Sequence, residues 1–313
     1  MVITVTMNPA MDKTLVLDGF TLGEVNRVVL GRNDIGGKGI NVSKVLKEFG
    51  EDSLALGFLG GILEEVFLKE LKTMGIGQRF VPVKGSTRTN IKVVDRVKGT
   101  FTDINEPGPV IQEEELTEFL RLYRETVTSG DVVVLSGGVS EGIPVKIYRL
   151  LTEIAKEKGA LVALDAEGEL FREALEAKPD MVKPNDRELA LYLGKEHLTE
   201  DEIVDAAKEL VAKGISKVLV SRGEKGSILA TAEGILKAEG LKVLVKSTVG
   251  AGDSMVAAII YSVLKGYGPR ETLAMAQAAG AAAVMTEGTK ACTLQEVESL
   301  LQAATEKIKE EKR

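Results

Sequence analysis

The stretch PVKIYRLLTEIAKEKGALVALD, residues 144–165, decides the fold class. Its first part carries apolar residues at the spacing of one helix face, which predicts a helix over residues 144–158. The residues of that face are Val145, Tyr148, Leu151, Ile154 and Ala155. Gly159 supplies a C-terminal stop, and Leu161–Asp165 then reads as a short strand buried on both faces. An amphipathic helix followed by a buried strand is the repeating unit of an α/β protein.

The same alternation continues on both sides of this unit. Further β-branched runs predict buried strands at Val2–Thr6, 131–135, 181–183 and Lys217–Ser221. Periodic or strongly apolar stretches predict helices at 113–128, 253–264 and 274–285. We therefore expect an α/β fold, with a mostly parallel sheet and helices on both faces, in a single domain of 313 residues.

Two stretches break this alternation. Residues 13–30 and 80–104 alternate apolar and polar positions, as in Val81-Pro82-Val83, which is typical of antiparallel strands with one solvated face. If the two stretches pair with each other, they form a small sheet that projects from the main domain as two insertions. Such a sheet would serve as a lid over an active site or as the contact of a homodimer. The alternative is an ordinary extension of the edge of the main sheet.

Charge and composition exclude several classes of function. With 40 Lys and Arg against 47 Asp and Glu, the net charge of −7 offers no basic surface for a nucleic acid or an anionic membrane. No apolar run reaches the roughly 18 residues of a membrane span. Cys292 is the only cysteine and cannot form an internal disulfide, so the cytoplasm is the expected compartment. His197, the only histidine, reads as an exposed loop residue, which argues against a zinc site or a histidine-based triad.

The strongest local signal is Gly250-Ala251-Gly252-Asp253, where a loop opens an apolar helix. Small residues let consecutive backbone N–H groups point into one space, and the start of a helix adds positive potential. This pattern suits an anion site for a phosphoryl group, with Asp253 placed to align a hydroxyl and accept its proton. The alternative is that Asp253 only caps the helix.

A second glycine cluster, Gly36-Gly37-Lys38-Gly39-Ile40-Asn41, combines close backbone approach with a cation and a carboxamide. That combination suits a polyhydroxylated, anionic ligand, although its spacing is that of neither a Walker A loop nor a dinucleotide fingerprint. The segment Asn8-Pro9-Ala10-Met11-Asp12 follows the first strand directly, which places Asp12 at the strand end where open α/β sheets bind ligands. A carboxylate there can accept two sugar hydroxyls. In both motifs, a simple turn is the alternative.

Three more motifs suit phosphate or nucleotide binding. Asn185 and Glu188 follow a predicted strand at capping-box spacing, so a structural role competes with a water-mediated metal role for Glu188. Residues 221–226 end another strand with two glycines, which suits the wall of a nucleotide site. Arg88 lies in a predicted lid strand, where its guanidinium suits a terminal phosphate, although an exposed strand arginine is the default.

In this order along the chain, the motifs resemble those of the ribokinase/PfkB family of carbohydrate kinases, and within it the 1-phosphofructokinase and tagatose-6-phosphate kinase branch. The matching segments are residues 6–12, 23–27, 36–42, 57–61, 87–90, 182–188 and 247–255. The resemblance implies a ribokinase-like, three-layer α/β/α core with a β-sheet lid, often shared across a dimer. It also implies transfer of the ATP γ-phosphoryl group, with Mg²⁺, to a hydroxyl of a phosphorylated ketose.

The resemblance further implies a role for each matching residue. Asp253 would be the catalytic base, with Gly250, Ala251 and Gly252 as the anion hole. The residues implied for the sugar phosphate are Asp12, Gly37, Lys38, Asn41, Arg88 and Ser136. Those implied for the nucleotide are Lys183, Asn185, Ser221, Gly223, Gly226, Thr248 and Val249, with Glu188 near Mg²⁺ through water.

Two positions depart from the family's pattern. The family's Ser-Gly-Ser-Leu-Pro is here Ser136-Gly137-Gly138-Val139-Ser140, which puts a side-chain contact from Gly138 in doubt. The common Asp-x-Ser reads Asp165-Ala166-Glu167, which removes a hydroxyl contact.

Residues 100–108, TFTDINEPG, favour one substrate within the branch, because they resemble the segment of enzymes that convert fructose 1-phosphate to fructose 1,6-bisphosphate. Tagatose 6-phosphate and fructose 6-phosphate are the alternative substrates. A non-catalytic sugar-phosphate sensor is an alternative of another class, but such a protein typically loses the base or the anion hole, and both motifs are intact here.

Overall fold

The computed structural model describes residues 1–286, 288 and 290–311. The strands are β1 (Val2–Thr6), β2 (Ala10–Leu17), β3 (Leu30–Gly36), β4 (Ser53–Gly60), β5 (Gly77–Val83), β6 (Arg88–Asp95), β7 (Thr100–Ile104), β8 (Val132–Ser136), β9 (Leu161–Asp165), β10 (Met181–Val182), β11 (Lys217–Ser221), β12 (Ser227–Thr231), β13 (Gly234–Ala238) and β14 (Ile308–Glu310). The helices are α1 (Lys38–Glu48), α2 (Leu63–Thr73), α3 (Glu113–Thr126), α4 (Ile147–Glu157), α5 (Gly168–Leu175), α6 (Asp186–Tyr192), α7 (Glu200–Ala212), α8 (Ala251–Lys265), α9 (Pro269–Val284) and α10 (Leu294–Glu306).

The large sheet has the strand order β14-β13-β12-β11-β10-β9-β8-β1-β4-β5. From β5 to β11 every neighbouring pair is parallel, whereas β11 to β14 are joined by antiparallel pairs. The predicted mostly parallel sheet is therefore confirmed. The carboxyl ends of the parallel strands meet at one edge, which is where such sheets bind ligands.

Strand β8 shows that the sheet is the middle layer of three. Its side chains alternate between two apolar cores: Val133 and Leu135 lie in one, and Val132 and Val134 lie in the other. This is the two-residue period of a strand covered on both faces. Helices α3 to α7 contribute to the first core, and α1, α8, α9 and α10 contribute to the second. The predicted three-layer α/β/α architecture is confirmed.

A separate small sheet has the strand order β3-β2-β6-β7. Strand β2 pairs antiparallel with β3 and parallel with β6, so two distant parts of the chain do pair with each other. The prediction that all strands in these stretches are antiparallel is wrong at this central pair. Strands β2, β3, β6 and β7 are not an edge extension of the large sheet, since the small sheet has its own hydrogen-bonded order.

The extent of the small sheet differs from the predicted stretches 13–30 and 80–104. Val81-Pro82-Val83 belongs to β5, which pairs in parallel with β4 at the edge of the large sheet. Its alternating pattern arises because Val81 and Val83 are buried while Pro82 is exposed, as at an edge strand. The segment between β2 and β3 is a loop, in which the Asn26 side chain bonds to both backbone groups of Thr21.

Most predicted elements are confirmed to within a few residues. Strands β1, β9 and β11 have the predicted bounds. Helix α9 begins at Pro269, five residues before the predicted start at 274, because proline is favoured in the first turn. The antiparallel strands β12 to β14 were not predicted.

Three smaller expectations can be compared with the structure. The His197 side chain is 87% exposed, as predicted. Cys292 is buried and forms no disulfide. Within the described part of the chain, every helix is too short or too polar to cross a membrane.

Candidate active site

The start of helix α8 is open to a ligand. Gly250 occupies the position before the helix with a positive φ of 81°, a left-handed conformation that glycine adopts without strain. No described side chain caps this end, so the first N–H groups of α8 keep their hydrogen-bonding capacity. Asp253 lies in the first turn rather than at the cap position. Asp253 is therefore not the N-cap residue of α8.

The Asp253 carboxyl group is buried, with 6% of the residue exposed. Burial and the nearby charge of Asp165 raise its pKa to about 6, although the charges of Lys38 and Lys183 and a hydrogen bond from Asn41 act in the opposite direction. A carboxyl group with a pKa near the working pH is well matched to general-base chemistry.

Two lysines converge on a second buried carboxylate, Asp165, in the same region. Lys38 Nζ lies 3.2 Å from Asp165 Oδ2, and Lys183 Nζ lies 3.2 Å from Asp165 Oδ1. Lys38 begins α1, whereas Lys183 directly follows β10. The glycine cluster and the segment after β10 are thereby joined through one side chain.

Asp12 is buried in β2 of the small sheet, beside two polar side chains of β6. Its Oδ1 accepts a hydrogen bond of 3.3 Å from Asn90 Nδ2, and its Oδ2 lies 3.5 Å from Lys92 Nζ. Gly36 is needed opposite this carboxylate, because a Cβ there would lie 2.6 Å from Asp12 Oδ2. The β3 backbone can therefore pass directly beside the acid.

The Arg88 guanidinium group is held by two backbone carbonyls. Its Nη1 donates to the carbonyl of Glu106 at 2.9 Å, and its Nη2 donates to the carbonyl of Asn8 at 3.2 Å. Burial lowers the pKa of Arg88 from its ordinary value. The group is therefore oriented before any ligand arrives, with its Nε still without a hydrogen-bond partner in the described structure.

Asn185 and Glu188 form the capping box of helix α6. The Asn185 side chain accepts from the Glu188 N–H at 2.8 Å, and Glu188 Oε2 accepts from the Asn185 N–H at 2.8 Å. The structural role that their spacing suggested is thus confirmed. Glu188 Oε1 is not used in this box, and burial raises the pKa of the carboxyl group.

One cleft of about 870 Å³ brings most of the predicted site residues together. Those that line it are Asp12, Gly37, Lys38, Asn41, Arg88, Lys183, Asn185, Glu188, Ser221, Gly223, Thr248, Val249, Gly250, Gly252 and Asp253. Three predicted residues do not line it: Ser136, Gly226 and Ala251. A Cβ at Gly226 would lie 1.9 Å from the carbonyl oxygen of Ala238, so close backbone packing accounts for this glycine.

Comparison with known families decides where the chain belongs. The profile described as "pfkB family carbohydrate kinase" matches residues 5–296. The chain belongs to the pfkB family of carbohydrate kinases. The recognition made from the motifs is confirmed, and so is the expectation that the protein is a sugar-phosphate kinase.

Curated relatives of this pfkB kinase cover nearly its whole length. It is 36% identical over 287 residues to the 1-phosphofructokinase of Bacillus subtilis, covering 92% of this chain and 93% of the relative. It is also 36% identical over 297 residues to a tagatose-6-phosphate kinase of Staphylococcus epidermidis, with 92% and 94% covered. The structure of phosphofructokinase-2 from Escherichia coli in complex with substrates and products matches with a TM-score of 0.93 at 27% identity, covering 97% of this chain and 99% of that one.

Several side chains in the cleft of this pfkB kinase were missed by sequence reasoning. Arg88, Asn90 and Lys92 alternate along β6, and all three reach the cleft. Because residues two apart on a strand face the same side, the prediction for Arg88 already contained the signal for the other two. Asp103, which also lines the cleft, comes from β7, and no spacing rule linked it to the site.

Proposed function

We propose that this pfkB kinase transfers the γ-phosphoryl group of ATP to fructose 1-phosphate, giving fructose 1,6-bisphosphate and ADP. The observation that carries the proposal is the placement of Asp253: a buried carboxyl group in the first turn of a helix whose leading N–H groups have no side-chain cap. The 36% identity to a curated 1-phosphofructokinase supports this choice of sugar phosphate.

In the proposed reaction, the sugar hydroxyl oxygen attacks the γ-phosphorus and the bond from that phosphorus to the bridging oxygen of ADP breaks. The hydroxyl proton passes to Asp253, which acts as general base. The backbone N–H groups at Gly250, Ala251 and Gly252 stabilise the charge on the phosphoryl oxygens. Ala251 contributes through its backbone, which is consistent with its side chain not lining the cleft.

The two ends of the cleft are proposed to bind the two substrates. On the sugar side, Asp12 accepts hydrogen bonds from hydroxyls, Asn41 can donate to them or accept from them, and Arg88 binds the existing phosphate. On the other side, segments 183–188, 221–226 and 248–249 line the nucleotide. Ser136 and Gly226 then support the site from outside the cleft instead of contacting a substrate.

Mg²⁺ is proposed to accompany ATP, near Glu188. Among the described residues, no group of three or more acidic, His or Cys side chains could hold a metal ion. A Mg²⁺ ion bound mainly by phosphates and water fits this donor set, since it needs only one or two carboxylates from the protein. Glu188 Oε1 is available to such water. When bound, Mg²⁺ would neutralise charge on the phosphates.

The small sheet is proposed to act as a lid and as a homodimer contact within a single kinase domain. It leaves large apolar side chains exposed, including Phe101 at 62%, and an apolar surface of this kind is typical of an interface. The exposed large apolar residues of the sheet and its loops are Leu22, Val25, Val28, Val29, Leu30, Val97, Phe101 and Ile104. The cytoplasm remains the expected compartment, on the ground of the single cysteine.

Measuring kcat/KM in parallel for fructose 1-phosphate, tagatose 6-phosphate and fructose 6-phosphate tests the proposed substrate. We expect the highest value for fructose 1-phosphate. Tagatose 6-phosphate is the second candidate, because a curated tagatose-6-phosphate kinase has the same 36% identity. A clear preference for tagatose 6-phosphate would replace the first proposal by the second.

A further inference from the structure

The Asp165 carboxylate has an unusual environment for a fully buried charge. The residue is 1% exposed, and each of its side-chain oxygens lies 3.2 Å from a lysine ammonium group. Lys38 thus compensates the charge at one oxygen and Lys183 at the other. Despite burial, which acts upward, these two lysines hold the pKa of Asp165 below its usual value. Such a buried charge needs a reason other than stability, because replacing buried ion pairs by apolar residues of similar volume is often neutral or stabilising.

The fold places this carboxylate at the carboxyl end of β9, in the lining of the cleft. Asp165 is the last residue of β9, between β8 and β10 in the middle of the parallel region. Lys183 follows β10, and its N–H bonds to the carbonyl of Leu164. The Lys38 stem lies over Gly137, where a Cβ would be 3.5 Å from Lys38 Cβ. Both lysines therefore approach the same carboxylate from different segments.

The two ammonium groups also face the proposed phosphoryl site. A Cβ at Gly252 would lie 3.4 Å from Lys183 Nζ, so this lysine reaches the loop that opens α8. Lys38 and Asp253 line the same cleft. Long lysine side chains have many rotamers, and a fixed counter-charge restricts them to the positions where phosphoryl oxygens would arrive.

We propose that Asp165 is a positioning residue, which holds the ammonium groups of Lys38 and Lys183 in the cleft beside Asp253 so that both are in place for the transferred phosphoryl group. The proposal rests on the proposed kinase reaction but assigns Asp165 no contact with substrate. It also explains why Asp165 is retained although the neighbouring serine of the family's pattern is absent: its partners are lysines on other segments.

The Asp165→Asn variant tests the proposal through kinetics. With the best sugar phosphate as substrate, we expect kcat to fall by roughly 10–100-fold, the usual effect of losing a residue that orients a ligand-binding side chain, with a smaller change in KM.

The pH profile gives a second readout. The charged groups acting on Asp253 are Asp165, Lys38, Lys183 and Lys44. Because the Asp165 charge raises the pKa of Asp253, its removal moves the acid limb of the kcat profile to lower pH. An unchanged kcat and acid limb would overturn the proposal.

Two further variants separate positioning from folding. Asp165→Glu keeps the charge but moves the carboxylate by one methylene, so we expect a parental acid limb with kcat still reduced. It also provides the test if Asp165→Asn fails to fold. Asp131→Asn is the control, because Asp131 is a buried carboxylate bound to the N-terminal ammonium and Thr128, outside the cleft. It should lower the melting temperature without altering the pH profile.

Chemical labelling gives a readout that needs no turnover. Lys38 and Lys47 lie on the same helix with similar side-chain exposure, 37% and 39%. The carboxylates around Lys38, Asp165 foremost, outweigh burial and raise its pKa. Loss of Asp165 should therefore increase acylation of Lys38 relative to Lys47, measured by peptide mass spectrometry.

The outcomes of the labelling separate the two proposals. Unchanged labelling would refute the positioning role even if the kinase reaction is confirmed. Increased labelling in a protein that turns over none of the three sugars would instead refute the proposed function.

A Mg²⁺ titration distinguishes the remaining explanation. If Asp165 acts through the lysines, the Mg²⁺ concentration for half-maximal rate is the same in Asp165→Asn and the parent. A requirement raised on the order of tenfold or more, with unchanged Lys38 labelling, would show that Asp165 serves the metal and would overturn the proposal.

Discussion

Asn41 Nδ2 donates a hydrogen bond of 2.8 Å to Asp253 Oδ2, joining two residues that are 212 positions apart in the sequence. Asn41 belongs to the glycine-rich segment that the resemblance assigns to the sugar, and Asp253 is the proposed base. The carboxylate orientation therefore depends on the same segment that is proposed to hold the hydroxyl. Correct placement of the base and of its target are coupled through α1.

The first prediction concerns the base itself. Asp253→Asn keeps the size of the side chain but cannot accept the hydroxyl proton, so we expect kcat to fall on the order of 10²–10⁴-fold. Steady-state kinetics with fructose 1-phosphate measures this loss. A variant that retained turnover within about tenfold of the parent would contradict the role of general base.

The same substitution should make the protein more stable at neutral pH. The folded pKa of Asp253 is about 6, above the ordinary 3.8, so ionisation of the carboxyl group costs stability. The cost is absent below the unfolded pKa of 3.8. It grows as the pH rises from there to about 6, and it is complete above about 6. We expect Asp253→Asn to gain on the order of 1–3 kcal/mol at pH 8 and almost nothing at pH 4, measured by denaturant unfolding. A less stable variant at pH 8 would contradict the sign.

Removing the Asn41 hydrogen bond should shift the pH dependence of catalysis. This bond lowers the pKa of Asp253, so its loss in Asn41→Leu raises that pKa further above about 6. We expect the acid limb of the kcat profile to move to higher pH, with partial recovery of rate on the alkaline side. The opposite direction from Asp165→Asn makes the two variants controls for each other. If both limbs moved the same way, the assigned electrostatic effects would be wrong.

Binding of the sugar phosphate should depend on the guanidinium geometry of Arg88 as well as on its positive charge. Its two hydrogen bonds to the carbonyls of Glu106 and Asn8 need the planar guanidinium fork, which lysine cannot supply. We expect Arg88→Lys to raise the KM for the sugar phosphate on the order of tenfold, with the KM for ATP unchanged. Arg121→Lys on the exposed face of α3 is the matched control and should leave both constants unaltered.

The proposed dimer contact can be tested on the apolar face of the small sheet. Phe101→Asp places a charge within the exposed apolar residues, so we expect the dimer to dissociate toward monomer. Light scattering after size-exclusion chromatography measures the mass. Ile62→Asp, at an exposed apolar residue before α2, is the control and should not change it. A parent protein that is monomeric at every concentration would contradict the proposal directly.

The sequence predicted the parts of the fold that depend on local patterning. Strand β9 and the helix before it follow from apolar periodicity, which each segment carries by itself. The parallel pairing of β2 with β6 could not be predicted, because it depends on contacts between segments about 78 residues apart. The edge strand β5 was misplaced, because an alternating pattern describes an edge strand of either sheet.

The site was predictable to the extent that its motifs are contiguous. Asp253, Asn41 and Asp12 each lie in a recognisable segment. The ion pairs of Asp165 were not predictable, since Lys38 and Lys183 reach it only after α1 and β10 are packed in place. Asn90 and Lys92 could have been included by following the strand from Arg88.

The division into two sheets makes the recognition surface exchangeable. Asp12, Arg88 and Asn90 all belong to the small sheet, whereas Asp253 and Lys183 belong to segments that adjoin the large one. The two segments 10–36 and 88–104 could therefore be replaced together by those of another pfkB kinase. The residues proposed for phosphoryl transfer would keep their positions beside the large sheet. The graft would have to keep Gly36, where the incoming backbone passes beside the carboxylate of Asp12.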